Sequence, residues 1–196
     1  MTLRFDNPAS VSREEFERDL ALLPQWRRDK ALSYRFLLDR VLCAKAYLLL
    51  KDAVRCEFGI AEDLEFEYDS IGGKPFLKGH RDIHFNLSHC RSAVMCTVSR
   101  SPVGCDVEDV AATLDMDLCR TCFSNDEVSR IVASTDPCVE FTRLWTMKEA
   151  LLKLTGEGLS VHDLPGVLQS PRAAGVEFEV EVDPAKKWVS CVCCRR

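Results

Sequence analysis

The chain has 196 residues, 46% hydrophobic and 29% charged, with a formal net charge of -5. This balance excludes a disordered or collagen-like chain, and no run approaches the roughly 20 apolar residues that span a bilayer. Net acidity argues against a general nucleic-acid-binding surface, and MTLRFDNPAS lacks the layout of a secretory leader. Eleven cysteines without such a leader read as small buried hydrophobes in a reducing, cytoplasmic setting.

Ser12-Arg-Glu-Glu15 has capping-box spacing and opens a helix through Phe16, Leu20 and Leu23 that Pro24 stops. From about residue 29 to residue 58, Leu32, Phe36, Leu37, Val41, Ala44 and Leu48 make one apolar stripe. The stripe predicts a long amphipathic helix, or two with a kink, ended by Gly59. Residues 26–55 hold eight basic groups against three acids, a surplus of five. Such a strip suits a local anionic ligand, and solvated helix faces are often as charged. The period then becomes two: Leu64, Phe66 and Tyr68 alternate with acids, Gly72-Gly73 supplies a turn, and Ile83, Phe85 and Leu87 alternate again. Residues 93–98 read as a continuous apolar strand, and Ser101-Pro102 breaks the chain near its midpoint.

Beyond the break, residues 103–108 predict a short strand with Cys105 and Val107 on one face and Asp106 and Glu108 on the other. Ser124-Asn-Asp-Glu127 is a second capping box, opening a short helix through Val132. Pro137 fits the first turn of a long helix to about Leu154, with Gly156 as its stop. Residues 176–182 and 188–194 are the final strands. The pattern predicts an α+β chain of two similar lobes, residues 1–101 and 102–196, each with helices on a small, mainly antiparallel sheet.

Four short constellations carry chemistry. Gly73-Lys74-Pro75 is a rigid turn presenting a cation, and His84-Phe-Asn-Leu-Ser88-His89 ends a strand with phosphate-capable donors. Gly104-Cys-Asp106-Val-Glu108 sets two carboxylates on one strand face, which suits a hard cation. Trp145-Thr-Met-Lys148-Glu149-Ala-Leu-Leu-Lys153-Leu-Thr-Gly156-Glu-Gly158-Leu159 stacks Trp145, Glu149 and Lys153 along one helix face. Alone, each is also what a solvated face, a buried histidine or an ordinary turn looks like.

Together and in this order, the four resemble the 4'-phosphopantetheinyl transferases, in the pseudo-dimeric class typified by the surfactin-synthetase-activating enzyme. The resemblance implies two similar lobes in pseudo-twofold arrangement with the active site at their seam. It also implies transfer of the 4'-phosphopantetheine arm of coenzyme A to a serine of an apo acyl or peptidyl carrier protein, releasing adenosine 3',5'-bisphosphate. Carried over, Asp106, Glu108 and Glu149 would hold Mg2+, and Lys153 would sit near the pyrophosphate. Glu149 would also take the serine proton. Ser88, His89 and Lys74 would contact coenzyme A, and Arg28, Lys30 and Lys45 would grip its 3'-phosphate. The carriers would belong to fatty-acid, polyketide or nonribosomal-peptide synthesis, and a monomer would suffice. Three rival readings remain, two using these residues and one using the cysteines. They are a catalytically silent coenzyme-A- or carrier-binding module, a magnesium-dependent nucleotide-diphosphate hydrolase, and a zinc site built from Cys119, Cys122, Cys191, Cys193 and Cys194.

Overall fold

The computed structural model describes residues 1–68, 73–156 and 164–195. The Gly158-Leu159 end of the long motif and Gly72 of the expected turn lie outside them. The chain divides into two compact units, Met1–Ser101 and Pro102–Arg196. Among the described residues, no helix is long and apolar enough to cross a membrane.

The first unit opens with β1 (Thr2–Asp6), then α1 (Arg13–Ala21), α2 (Gln25–Ser33) and α3 (Leu37–Phe58). A two-stranded ribbon, β2 (Phe66–Tyr68) with β3 (Pro75–Leu77), precedes β4 (His84–His89) and β5 (Ala93–Ser99). The main sheet is antiparallel in the order β1-β5-β4. Its centre is β5, whose apolar run is buried from Ala93 to Val98, as a strand paired on both edges and packed under α3 must be. Ser12 caps α1 through the amide of Glu15. Gly59 ends α3 at φ 73°, a left-handed geometry that glycine adopts without a Cβ penalty.

The second unit runs β6 (Val103–Asp109), α4 (Met116–Cys122), α5 (Asn125–Ala133), α6 (Pro137–Thr155), β7 (Val176–Val182) and β8 (Trp188–Arg195). Its antiparallel sheet has the order β6-β8-β7. The full capping box of Ser124 and Glu127 opens α5, and Gly156 at φ 74° closes α6. α6 packs on β6 and β8. The approach is close because of Gly104: a Cβ there would lie 2.0 Å from the Ala150 carbonyl oxygen and 2.7 Å from the Leu154 amide nitrogen. Only a residue without a side chain lets the helix backbone lie this near the strand.

The units share one plan. In each, the first strand is an edge, three helices follow, and the last strand takes the centre. Aligning the two helix-ending glycines brings Lys51-Asp-Ala-Val54 into register with Lys148-Glu-Ala-Leu151.

Three expectations change. Of the two alternatives for residues 29–58, the second holds: there are two helices, α2 and α3, separated by extended backbone at Tyr34 and Phe36, with the first starting earlier, at Gln25. The break turns Leu32 (43% exposed), Phe36 (62%) and Leu37 (42%) out of the supposed apolar stripe. α2 also begins directly after Pro24, which serves as its N-cap as well as following α1. Finally, β1 and β3 had no clear periodic signal: β1 is five residues long, and Pro75 begins a strand rather than only a turn.

Candidate active site

In the second unit, β6 and α6 bring the acidic motifs together. Alternation along β6 buries Cys105 and Val107 on one side and directs Asp106 and Glu108 to the other, and Asp106 is only 1% exposed. From α6, Lys153 extends its Nζ to 2.5 Å from Asp106 Oδ1. Trp145, one turn before Glu149, stacks on Phe141 with ring centroids 6.3 Å apart and donates its indole N–H to Glu108. It is therefore both a core residue and a site residue.

The electrostatics show how tightly these groups are set. Burial, reinforced by the charge of Asp106, pushes Glu108 from 4.5 up to about 7. Burial and Asp106 likewise raise Glu149. Burial works against the charge on Lys153, yet Asp106 outweighs it and holds the ammonium above its ordinary value. Three carboxylates thus repel one another, with Lys153 drawn against Asp106.

This crowding has a measurable consequence. Between 4.5 and about 7, folded Glu108 holds a proton that the unfolded chain has lost, so stability without a divalent cation falls as pH rises through that window. Thermal unfolding in chelator is expected to show Tm dropping by a few °C from about pH 5.5 to about pH 8. Glu108→Gln should flatten that slope. A slope as steep in the variant as in the native chain would overturn the assignment.

Among the described residues, no three His, Cys, Asp or Glu side chains form a metal cage of their own. Magnesium does not require one, because it is commonly held by one or two carboxylates together with substrate phosphates and water. The donor set fits such an ion: all hard oxygen, already near one another, with repulsion that a divalent cation would relieve. The cysteines give no comparable set. All eleven are free thiols, with Cys119, Cys122, Cys191 and Cys193 buried, and burial pushes the thiols of Cys119, Cys122 and Cys191 up, away from the thiolate that zinc prefers.

Lys148 was passed over by sequence reasoning as any particular contact. It is 0% exposed, and its Nζ donates to Glu127 Oε2 at 2.7 Å, the Leu164 carbonyl at 2.7 Å and the Cys122 carbonyl at 2.9 Å. The same ammonium lies 4.4 Å from the Phe123 ring centroid. One lysine thus ties the end of α4 and the start of α5 to α6, directly beside Glu149.

In the first unit, a cleft of about 340 Å³ is lined by Arg27, Lys30 and His89 together with aromatic residues such as Trp26, Phe66 and Phe85. Phe85, Leu87 and His89 share the face of β4 that borders it. Strand alternation turns Ser88 to the opposite, buried side. Lys74 lies near enough to His84 that its charge, after burial, lowers that imidazole's pKa.

Two of the expected cations do not reach this cleft. Arg28 donates to the Leu20 and Leu23 carbonyls, satisfying the open end of α1. Lys45 is held by Asp19 at 2.9 Å and Glu15 at 3.3 Å, over the ring of Phe5. Arg27, rather than Arg28, lines the cleft: it is buried, donates to the Cys43 carbonyl at 2.9 Å, and its Nε meets no hydrogen-bond partner among the described residues. Helical phase is the signal that finds it. Residues 27 and 30 are three apart and share a face, whereas 28 and 30 point nearly opposite ways.

The sequence model of the 4'-phosphopantetheinyl transferase superfamily matches residues 102–190, the span that carries the carboxylates and Lys153. The chain is 33% identical over 137 residues to the 4'-phosphopantetheinyl transferase psf-1 of Bacillus pumilus, covering 68% of this chain and 58% of that one. It is 31% identical over 169 residues to a 4'-phosphopantetheinyl transferase of Bacillus subtilis, covering 80% and 69%. With the 4'-phosphopantetheinyl transferase Sfp of Bacillus subtilis (strain 168) the identity is 27% over 154 residues, covering 77% and 68%. The chain therefore spans between 58% and 69% of the length of these relatives. With the acidic pair on β6, the lysine and glutamate on α6 and these relatives agreeing, the chain belongs to the 4'-phosphopantetheinyl transferase superfamily.

Proposed function

We propose that the chain transfers the 4'-phosphopantetheine arm of coenzyme A to a serine hydroxyl of an apo acyl or peptidyl carrier protein, releasing adenosine 3',5'-bisphosphate. The observation that carries this reading is the set Asp106, Glu108 and Glu149, whose burial and mutual repulsion raise both glutamates, with Lys153 held against Asp106. Oxygen donors with this repulsion are compatible with a hard cation shared with substrate phosphates. Asp106, Glu108 and Glu149 would hold Mg2+, which when bound screens the pyrophosphate and stabilises charge on the leaving phosphate.

The remaining steps belong to the protein's own groups. Lys153, held by Asp106, provides a point charge for a pyrophosphate oxygen. The serine oxygen forms a new bond to phosphorus as the bridging P–O bond of the pyrophosphate breaks, and that electron pair leaves on the bisphosphate. Glu149, raised by burial and Asp106, accepts the serine proton. In the first unit, Arg27 and Lys30 would supply cations for the 3'-phosphate in a cleft whose aromatic lining suits the adenine ring, with His89 as a further phosphate contact, whereas Ser88 and Lys74 do not line it.

Arg27→Ala is expected to raise the KM for coenzyme A by about tenfold or more, the loss of one charged hydrogen bond. Arg28→Ala should cost stability at the end of α1 and leave that KM within twofold. Equal effects on KM would remove Arg27 from the site. The activity itself is tested by mixing the protein with coenzyme A, MgCl2 and apo carriers of fatty-acid, polyketide and nonribosomal-peptide synthesis, then weighing each carrier intact. The expected result is a magnesium-dependent mass gain of one phosphopantetheine. No gain on any carrier overturns the reading.

A further inference from the structure

One charged group in the cleft of the first unit has no role among the cations around it. On α3, Asp39, Leu42, Cys43 and Ala46 recur at helical spacing and turn one face to the cleft that Arg27 and Lys30 line from α2. Asp39 is the only charged member of that face, and it is half-buried. An acid in the first turn favours the helix dipole, but it does so from any side of the turn and need not face the cleft.

The Asp39 carboxylate makes no hydrogen bond or ion pair among the described residues, although two cations line the same cleft. Exposed acids of this unit are paired: Asp63 with Lys51 at 2.5 Å, Asp52 with Arg55 at 3.0 Å, and Glu65 with Lys78 at 2.6 Å. The cleft's cations gather instead about Cys43, where burial pushes the thiol up and the charges of Arg27 and Lys30 oppose it. Asp39 lies one helical turn before Cys43, about 6 Å along the axis. Arg27, 8% exposed, also keeps its Nε without a hydrogen-bond partner among the described residues. The cleft thus has an end suited to an anion and, one turn away, an acceptor still lacking a donor.

A phosphate held by Arg27 and Lys30 is repelled by that carboxylate, so the uncharged part of the nucleotide is what suits Asp39. In adenosine 3',5'-bisphosphate, the nucleotide end of coenzyme A, the ionised phosphates and the unsubstituted ring nitrogens accept hydrogen bonds. Its donors are the ribose 2'-hydroxyl and the adenine 6-amino group. We propose that Asp39 is a specificity residue that accepts a hydrogen bond from one of these two donors, a proposal that rests on the coenzyme A reading above. It orients the nucleoside while Arg27 and Lys30 hold the phosphate, and it disfavours a nucleotide that offers an acceptor or a further phosphate there.

The test is calorimetric titration of the full chain and of Asp39→Ala with three probes. These are adenosine 3',5'-bisphosphate, its 2'-deoxy analogue, and inosine 3',5'-bisphosphate, which has a carbonyl oxygen in place of the 6-amino group. The native chain is expected to bind the adenosine probe about tenfold or more tighter than at least one analogue, the contribution of a charged hydrogen bond. Asp39→Ala should bring that pair to within about twofold of each other. A ratio that closes for the deoxy analogue assigns the contact to the ribose, and one that closes for inosine assigns it to the base. Asp39→Asn, whose amide oxygen still accepts, should keep part of the discrimination. Ratios near one in the native chain, ratios unchanged in Asp39→Ala, or no binding of any probe overturn the proposal. So does an equal weakening of all three probes, which is what a purely structural role would give. No turnover is needed, so discrimination that Asp39→Ala abolishes upholds the proposal even where no carrier is modified; a failure of transfer then counts against the transferase reading alone.

Discussion

Asp106→Asn is expected to slow transfer by about 10²- to 10³-fold while leaving the second unit folded, with Tm unchanged or raised. The substitution preserves shape on β6, so the close seating of α6 at Gly104 is untouched. It removes the charge that raises both Glu108 and Glu149, so part of the strain among the carboxylates disappears. Lys153 loses this carboxylate but keeps about a third of its side chain in water, where an ammonium is readily solvated. The activity loss comes instead from the site's weakened hold on its ion and on developing phosphate charge. Single-turnover transfer read by intact mass, alongside calorimetry with and without magnesium, separates the two effects. Magnesium should raise the Tm of the native chain and leave that of the variant unmoved. Full transfer in Asp106→Asn would remove this residue from the metal set.

Lys148→Met should be as damaging to stability as the first change is to chemistry. The lysine meets three acceptors with no access to water, and its loss leaves Glu127 as a buried carboxylate without a counterion. Uncovering a buried charge in this way costs about 3–5 kcal/mol. That corresponds to a Tm lower by on the order of 10 °C. Burial already pulls the Lys148 ammonium below its ordinary value, with Glu127 opposing, so the pair is held by mutual need rather than by surplus attraction. The double variant Lys148→Met/Glu127→Gln should recover part of the loss, since no bare charge then remains inside. Denaturant unfolding of the four members of that cycle gives the coupling. A loss below about 1 kcal/mol in the single variant would show that the three bonds do not hold the helices together.

The parts of this molecule that the sequence made legible are those whose signal is local. Ser12 and Ser124 cap helices through atoms three residues away, Gly59 and Gly156 end them, and Asp106 and Glu108 share a face because two residues make one pleat. The resemblance to the transferases likewise rested on short motifs. What the sequence hid depends on distant partners. Glu127 and the Leu164 carbonyl lie far from Lys148 along the chain, so nothing near the lysine announces its burial. Lys45 looked like a free cation until Asp19 and Glu15 met it from another helix. Leu32, Phe36 and Leu37 continued an apolar periodicity that extended backbone at Tyr34 and Phe36 interrupts, and this part of the stripe became surface. The Lys-acid-Ala repeat emerges only when helix ends, which the fold defines, are used to set the register.

The position of the last strand in each unit has a consequence for how the chain acquires its shape. β5 and β8 are the central strands of their sheets, and each pairs with the strand made first, Thr2 opposite Thr97 and Val103 opposite Cys194. During synthesis neither sheet can begin to pair until nearly the whole unit has left the ribosome, because the edges have nothing to join until the middle arrives. The loop closed by that pairing is almost as long as the unit, which favours slow, late-committing folding. It also makes the tail disproportionately important: a nascent or truncated chain stopping before residue 188 would not lack an edge of the second sheet but would hold two strands with no backbone partner between them.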